Sequence, residues 1–201
     1  MSVSLLGALI VIHKVVPGPS PSFYPPGVYS SSMQDAPDQS FVYRPIGVIR
    51  TPFDNVAGMP IQPSGARGVR GTILIEPEFS EGLADLDGFS RIILIYALHM
   101  SSGYSLRVTP FLDTTPRGVF ATRSPRRPNA IGISTVNLTA IDGSVLSVED
   151  VDMVNGTPLL DIKPYVPEFD AYTGGRCGWL EHIAKNACHT RSDDRFSPVN
   201  Q

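Results

Sequence analysis

From Phe41 onward the chain is built of short runs of Val, Ile, Phe and Thr separated by turn residues. Residues 42–50, 69–75, 91–99, 106–111, 118–122, 131–141, 144–151 and 159–163 read as strands on that pattern. Asp142-Gly143 lies between two apolar runs and predicts a hairpin with both residues at its central, φ > 0 positions. Asn155-Gly156 predicts the same device ahead of 159–163. Helix is scarce. Residues 79–86 have room for about two turns, closed by Gly88. Trp179, Ile183 and Ala187 fall at i, i+4 and i+8, which predicts a short amphipathic helix over 177–187. The fold expected is mostly β, a small antiparallel β-barrel with a few short helices, and not a doubly wound α/β sheet.

Residues 1–40 break this pattern. Pro17-Gly-Pro-Ser-Pro-Ser-Phe-Tyr-Pro-Pro-Gly27 has neither a strand nor a helix period, and its prolines remove backbone donors. The expectation is a disordered leader over 1–40, with Met33 a candidate for the true start, a barrel domain over 41–175, and a C-terminal helix and tail over 176–201. The apolar run Leu5 to Ile12 is far shorter than the roughly 20 residues of a membrane span. Nothing basic precedes it, so it lacks the signature of a secretory signal. A soluble protein is expected, without a membrane partner.

Of the 201 residues 42% are hydrophobic and 17% charged, enough apolar material for a core and too much for wholesale disorder. A net charge of -3 excludes a globally basic nucleic-acid coat protein while leaving room for a local patch. Cys177 and Cys188 are the only cysteines, too few for a disulfide framework, so a reducing cytoplasm is expected.

The most unusual segment is Gly118-Val-Phe-Ala-Thr-Arg-Ser-Pro-Arg-Arg-Pro-Asn-Ala-Ile-Gly132. Pro125 and Pro128 stiffen a loop that carries Arg123, Arg126 and Arg127. A stiff loop loses little entropy on binding, and guanidinium groups suit carboxylates or phosphates. A solvated basic loop is the plainer reading. A second polar cluster runs from Asp150 to Asp170. Turn formation accounts for Asp152 and Asn155 as well as a site does. It accounts less well for Asp161-Ile-Lys-Pro-Tyr165, where an acid and a base two apart on one strand face read as an ion pair or a site. His99 ends the apolar run 92–98, a place where a structural histidine is common. Cys177, His182, Cys188 and His189 match none of the closed zinc spacings, and no metal is expected.

Taken together, Ile46-Gly-Val-Ile-Arg-Thr-Pro-Phe53, Gln62-Pro63, Gly82-Leu-Ala-Asp-Leu-Asp-Gly-Phe89, Gly118 to Pro125, Arg127-Pro-Asn129, Gly156-Thr-Pro158 and Asp161 to Tyr165 resemble the TsaA-like, or TrmO, family of tRNA methyltransferases. The resemblance covers roughly 43–170, and 179–196 looks like the tail of the family's short members. It implies a small antiparallel barrel, often dimeric, that binds S-adenosyl-L-methionine without a Rossmann sheet. The implied reaction is methylation of N6 in threonylcarbamoyladenosine at position 37, in the anticodon loop of tRNA. The implied cofactor contacts are Gln62, Pro63, Ser64, His99, Met100, Arg123, the backbone near Thr135, and the turn Asp152, Met153, Val154, Asn155 and Gly156. Two positions depart from the family: Asn155 where Asp is frequent, which removes a charge, and Ala130 where Pro is frequent.

Methyl transfer from a sulfonium needs in-line positioning more than covalent help. The N6 proton of a ureido-linked adenine is more acidic than that of a plain amine, so one modest base suffices, and Asp161 and Tyr165 are the candidates. Arg126 and Arg127 are the expected grips on anticodon-loop phosphates, with Tyr165 or Phe169 for stacking. Two other readings stay open: a methyltransferase of the same fold with another acceptor, and a non-catalytic RNA-binding barrel.

Overall fold

Inward and outward side chains alternate along each strand, and the inward set forms one core. The computed structural model describes residues 41–196, and its compact unit begins at Pro45. The expected leader and the start at Met33 lie outside the described residues. Strands β1 (Gly47–Arg50), β2 (Arg70–Ile75), β3 (Arg91–Ala97), β6 (Ile131–Asp142), β7 (Val145–Glu149) and β8 (Thr157–Pro164) close an antiparallel barrel in the order β1-β2-β7-β6-β3-β8. Strands β4 (Arg107–Val108) and β5 (Arg117–Gly118) form a separate two-stranded ribbon. Ile49, Ile73, Ile92, Leu94, Leu146 and Leu159 are fully buried inside the barrel. The expected β-barrel is therefore the observed fold.

The register decides where function can sit. Ile49 faces Thr157, Arg70 faces Glu149, Ala97 faces Ile131, and Tyr96 faces Leu159. The ends of β1, β3 and β7 and the starts of β2, β6 and β8 thus share one rim. The loops at that rim are the long, polar ones. A bulge between Ile95 and Tyr96 separates the Asp161 register from the Leu159 register on β8.

Several local expectations shift. The β6–β7 hairpin exists, but Asp142 pairs with Val145, so Gly143-Ser144 and not Asp142-Gly143 form the turn. Gly143 alone there takes positive φ, at 58°, the glycine-first arrangement of a primed turn. Asn155-Gly156 makes a turn with Gly156 at φ 79°, yet it makes no hairpin, because β7 and β8 are not neighbours. The expected strand over 106–111 shrinks to β4. Of residues 118–122, Gly118 ends β5 and Val119–Ala121 form a 3-10 turn closed by Thr122 N–H donating to Val119 O, while the Val119 and Thr122 carbonyls also accept from Arg127. The helix over 79–86 is a 3-10 helix, Pro77–Leu83, broken by the left-handed Asp85 and followed by Leu86–Gly88. The 177–187 helix is two 3-10 pieces, Gly178–Leu180 and Ala184–Cys188. Among the described residues the single α-turn, α1 (Pro167–Asp170), follows β8.

The tail packs back on the rim. Ser192 Oγ donates to the Val56 carbonyl at 2.6 Å and accepts from Met59 N–H at 3.0 Å. Trp179 Nε1 donates to Ala121 O at 2.7 Å, and Phe111 meets Phe196 edge-on at 5.1 Å. Among the described residues no helix is long and apolar enough to cross a membrane.

Leu94 is central to the core, so Leu94→Ala is expected to cost about 2–5 kcal/mol. Urea unfolding checks this, and an unchanged midpoint would contradict the barrel core described above.

Candidate functional site

Five loops of the rim enclose a cavity of about 320 Å³. The segment after β1 brings Gln62, the turn after β3 brings His99 and Met100, and the arginine loop before β6 brings Arg123. The turn after β7 brings Asp152, Met153 and Val154, and the tail brings Ser192 and Phe196. Residues far apart in sequence meet because the register stacks these strand ends on one side. A second cavity of about 680 Å³ adjoins the first through Ile61, Gln62, Phe111, Thr122, Arg123 and Phe196. Pro63 and Ser64, at the start of the 3-10 turn Pro63–Gly65, line that second cavity.

The arginine loop is braced rather than merely stiff. Arg127 Nη1 donates to Val119 O at 3.1 Å and Thr122 O at 2.8 Å, and its guanidinium lies 5.8 Å from the Phe120 ring centroid. Ser101 Oγ donates to Pro125 O at 2.9 Å, tying the loop to the turn after β3. Arg127 therefore acts first as an internal brace, though it also lines the first cavity. Arg126 is half-buried and lines neither cavity. Arg123 Nη1 donates to Gln62 Oε1 at 2.5 Å, setting a cation on the wall common to both cavities. Arg117 pairs with Asp113 at 2.7 Å beneath Trp179.

Asp152, half-buried, lines the first cavity. Ser134 Oγ donates to its Oδ1 at 2.6 Å, and Tyr96 Oη lies 3.0 Å from Ser134 Oγ. Loss of solvation pushes the Asp152 carboxyl up to about 6, against the smaller opposing pulls of the Ser134 bond and Arg123. The Tyr96 hydroxyl is raised, by burial first and by the Asp152 charge second, and stays a donor. Partial burial lowers the His99 imidazole, which keeps it neutral at pH 7.

Other expected site residues lie elsewhere. Thr135 faces Ile93 across β3 and β6 and lines neither cavity. Asn155 accepts from Thr51 N–H at 3.4 Å and donates to Asp54 Oδ1 at 3.0 Å, so with Gly156 it fastens the segment after β1. Asp161 and Lys163 form an ion pair at 2.7 Å, in register with Ile95 and Ile93 on the outer face of the barrel. Tyr165, past the end of β8, donates its N–H to Arg91 O, and neither it nor Asp161 lines a cavity. Sequence reading passed over Tyr96, Ser134 and the tail. The available signal was a serine at an inward position of β6, one alternation before Val136.

A family model described as the tRNA-methyltransferase O N-terminal domain matches residues 48–171. The chain belongs to the TrmO family. A Pyrococcus abyssi protein named "Probable S-adenosyl-L-methionine-binding protein" is 51% identical over 79% of this chain and 86% of its own length. The human protein named tRNA (adenine(37)-N6)-methyltransferase is 33% identical over 77% of this chain. This chain spans only 36% of that human protein. A crystal structure of TrmO from Pseudomonas aeruginosa superposes with a TM-score of 0.60 at 37% identity, covering 70% of this chain and 63% of that one.

In this TrmO-family chain the cavity carries a cation and an acid on separate loops, with Met59, Met100 and Met153 also on its wall. The acid has a cost. Asp152 takes its proton more readily in the folded chain than at its ordinary 3.8, so its contribution to stability falls as pH rises from about 4 to about 6. Asp152→Asn keeps an acceptor for Ser134 and removes the charge. It is expected to be more stable than the parent at about pH 8, by at most about 3 kcal/mol and less where cavity water screens the charge. Below about pH 4 the gain vanishes. Urea unfolding at both pH values tests the sign.

Proposed function

We propose that this protein is an S-adenosyl-L-methionine-dependent tRNA (adenine-N6) methyltransferase, acting on threonylcarbamoyladenosine at position 37 in the anticodon loop. The observation that carries the reading is the convergence of Arg123, Asp152, His99 and the apolar Met100, Met153 and Val154 on one cavity. That donor set fits the cofactor. A guanidinium suits its carboxylate, a carboxylate acceptor suits its ribose hydroxyls or amino group, and the methionine wall suits its adenine. When bound, S-adenosylmethionine supplies an electrophilic methyl group on a sulfonium.

The chain's own residues position and exclude water. The Gln62–Arg123 bond sets the guanidinium, and the braced loop resists moving it. Asp161 and Tyr165 lie off both cavities, so within one chain proton removal from N6 falls to a group on the cavity wall. Arg126 faces anticodon-loop phosphates in this reading, with Arg127 holding the loop that presents it, and the exposed Phe169 is available for stacking. The assembly proposed is a cytoplasmic homodimer.

Calorimetric titration with S-adenosylmethionine, on the parent and Arg123→Ala, tests the cofactor half. Micromolar binding that falls at least about tenfold in the variant is expected. Nucleoside mass spectrometry of tRNA with and without the threonylcarbamoyl group tests the acceptor half, with methylation expected only on the modified tRNA. Equal transfer to both would overturn the acceptor assignment, and no cofactor binding would leave the non-catalytic barrel. Arg126→Ala is expected to weaken tRNA binding and flatten its salt dependence by about one unit of slope, with cofactor affinity unchanged. Filter binding across a salt series checks it.

A further inference from the structure

Tyr96 and Gly132 are register partners on β3 and β6. A Cβ on Gly132 would lie 2.2 Å from the Tyr96 ring, so only glycine leaves room for the ring to cross there. Crossing at Gly132 sends the phenol along β6 to Ser134, two residues on and on the same face. Ser134 has one hydroxyl proton, and it goes to Asp152 Oδ1 at 2.6 Å. The Tyr96 hydroxyl, 3.0 Å from Ser134 Oγ, must therefore be the donor of the other bond. The result is a one-way chain of bonds, Tyr96 to Ser134 to Asp152, whose last member stands on the cavity wall.

The aliphatic barrel does not need this chain. Ser134 is 3% exposed and Tyr96 6%, and burying two hydroxyls carries a desolvation cost unless both are bonded. A Val at 134, matching Val136, would fill the core without that cost. The Ser134 bond ends on one carboxylate oxygen of Asp152, and the Tyr96 bond ends on the Ser134 hydroxyl that makes it.

We infer that Gly132, Tyr96 and Ser134 form a positioning relay that holds Oδ1 of Asp152, leaving the rest of that carboxylate as a fixed acceptor for O–H or N–H donors of a ligand in the cavity. The residues are positioning residues: Ser134 does not line the cavity, and Tyr96 and Gly132, which do, bring no charge to it. The charged and titratable groups around Asp152 are Tyr96 from β3 and Arg123 from the arginine loop, with His99, Arg127 and Asp193 on the same cavity. The identity of the ligand rests on the cofactor reading above. The relay itself does not.

The test is carbon-13 NMR titration of the Asp152 carboxyl in the free protein, assigned by its loss in Asp152→Asn, alongside calorimetry with S-adenosylmethionine across pH. Ser134→Ala removes a bond to the ionised carboxylate, so its titration midpoint is expected to rise by about one pH unit. The pH at which cofactor binding is half lost should rise by the same amount. Ser134→Thr, which keeps the hydroxyl, should restore both. Tyr96→Phe keeps the ring over Gly132 and deletes only the hydroxyl, so it should raise the midpoint by a smaller amount. It carries the test if Ser134→Ala fails to fold. Midpoints unmoved in Ser134→Ala and Tyr96→Phe overturn the relay. Wild type that titrates as expected without binding S-adenosylmethionine overturns the cofactor reading and leaves the relay standing.

Discussion

Closure of the barrel through β1 is the constraint on which the rest depends. The strand pairs with β2 on one side and β8 on the other, and Ile46 N–H extends the second pairing to Leu159 O at 2.8 Å. Closure removes the sheet's free edges and fixes which side chains point inward. It also fixes which strand ends share a rim. The cavity, the arginine loop and the turn bearing Asp152 are neighbours only because six strands agree on one register. A slip of one residue in β6 would turn Ser134 outward, and one in β3 would turn Tyr96 outward.

Within that frame the site is held by polar contacts that a core alone would not select. Arg127 is spent on loop carbonyls, and Asn155 on the segment after β1. Arg123 is aimed by Gln62, and Asp152 by Ser134. Each of these ties gives up solvation or a free charge to fix a geometry, the usual signature of a preorganised site. Asp152 shows the conflict most plainly, because the burial that raises its proton affinity also weakens the fold at neutral pH. The C-terminal tail contributes as well. Ser192 seals the 56–59 segment and Phe196 closes the wall shared by the two cavities.

How much of this was legible in the chain depends on how local each signal is. Strands over 69–75, 91–99 and 131–141 were readable, since short runs rich in Ile, Val and Thr bounded by turn residues are a property of consecutive positions. The hairpin after β6 was readable from Asp142-Gly143, but its turn sits one residue later because cross-strand pairing of Asp142 with Val145 sets the register. The helix over 177–187 misread a real apolar spacing, which the structure satisfies with two 3-10 turns against the rim. Gln62, His99, Arg123 and Asp152 were expected as cofactor contacts through the family resemblance, and the fold sets all four on one cavity. Asp161 was singled out by its density of polar neighbours, and that density turned out to be an ion pair on the outer face.

By itself, then, the sequence determined the β character and the stiff arginine loop, which follow from periodicity and φ/ψ preferences that act within a few residues, while its motifs carried the family resemblance. Tertiary structure alone decided that Ser134 and Tyr96 serve Asp152 and that Arg127 braces the loop from within. It also decided that Asp161 and Tyr165 stand apart from the cavity. Each of these is a relation between strands or loops distant along the chain, and only closure of the barrel in one register brings such groups within hydrogen-bond reach or keeps them out of it.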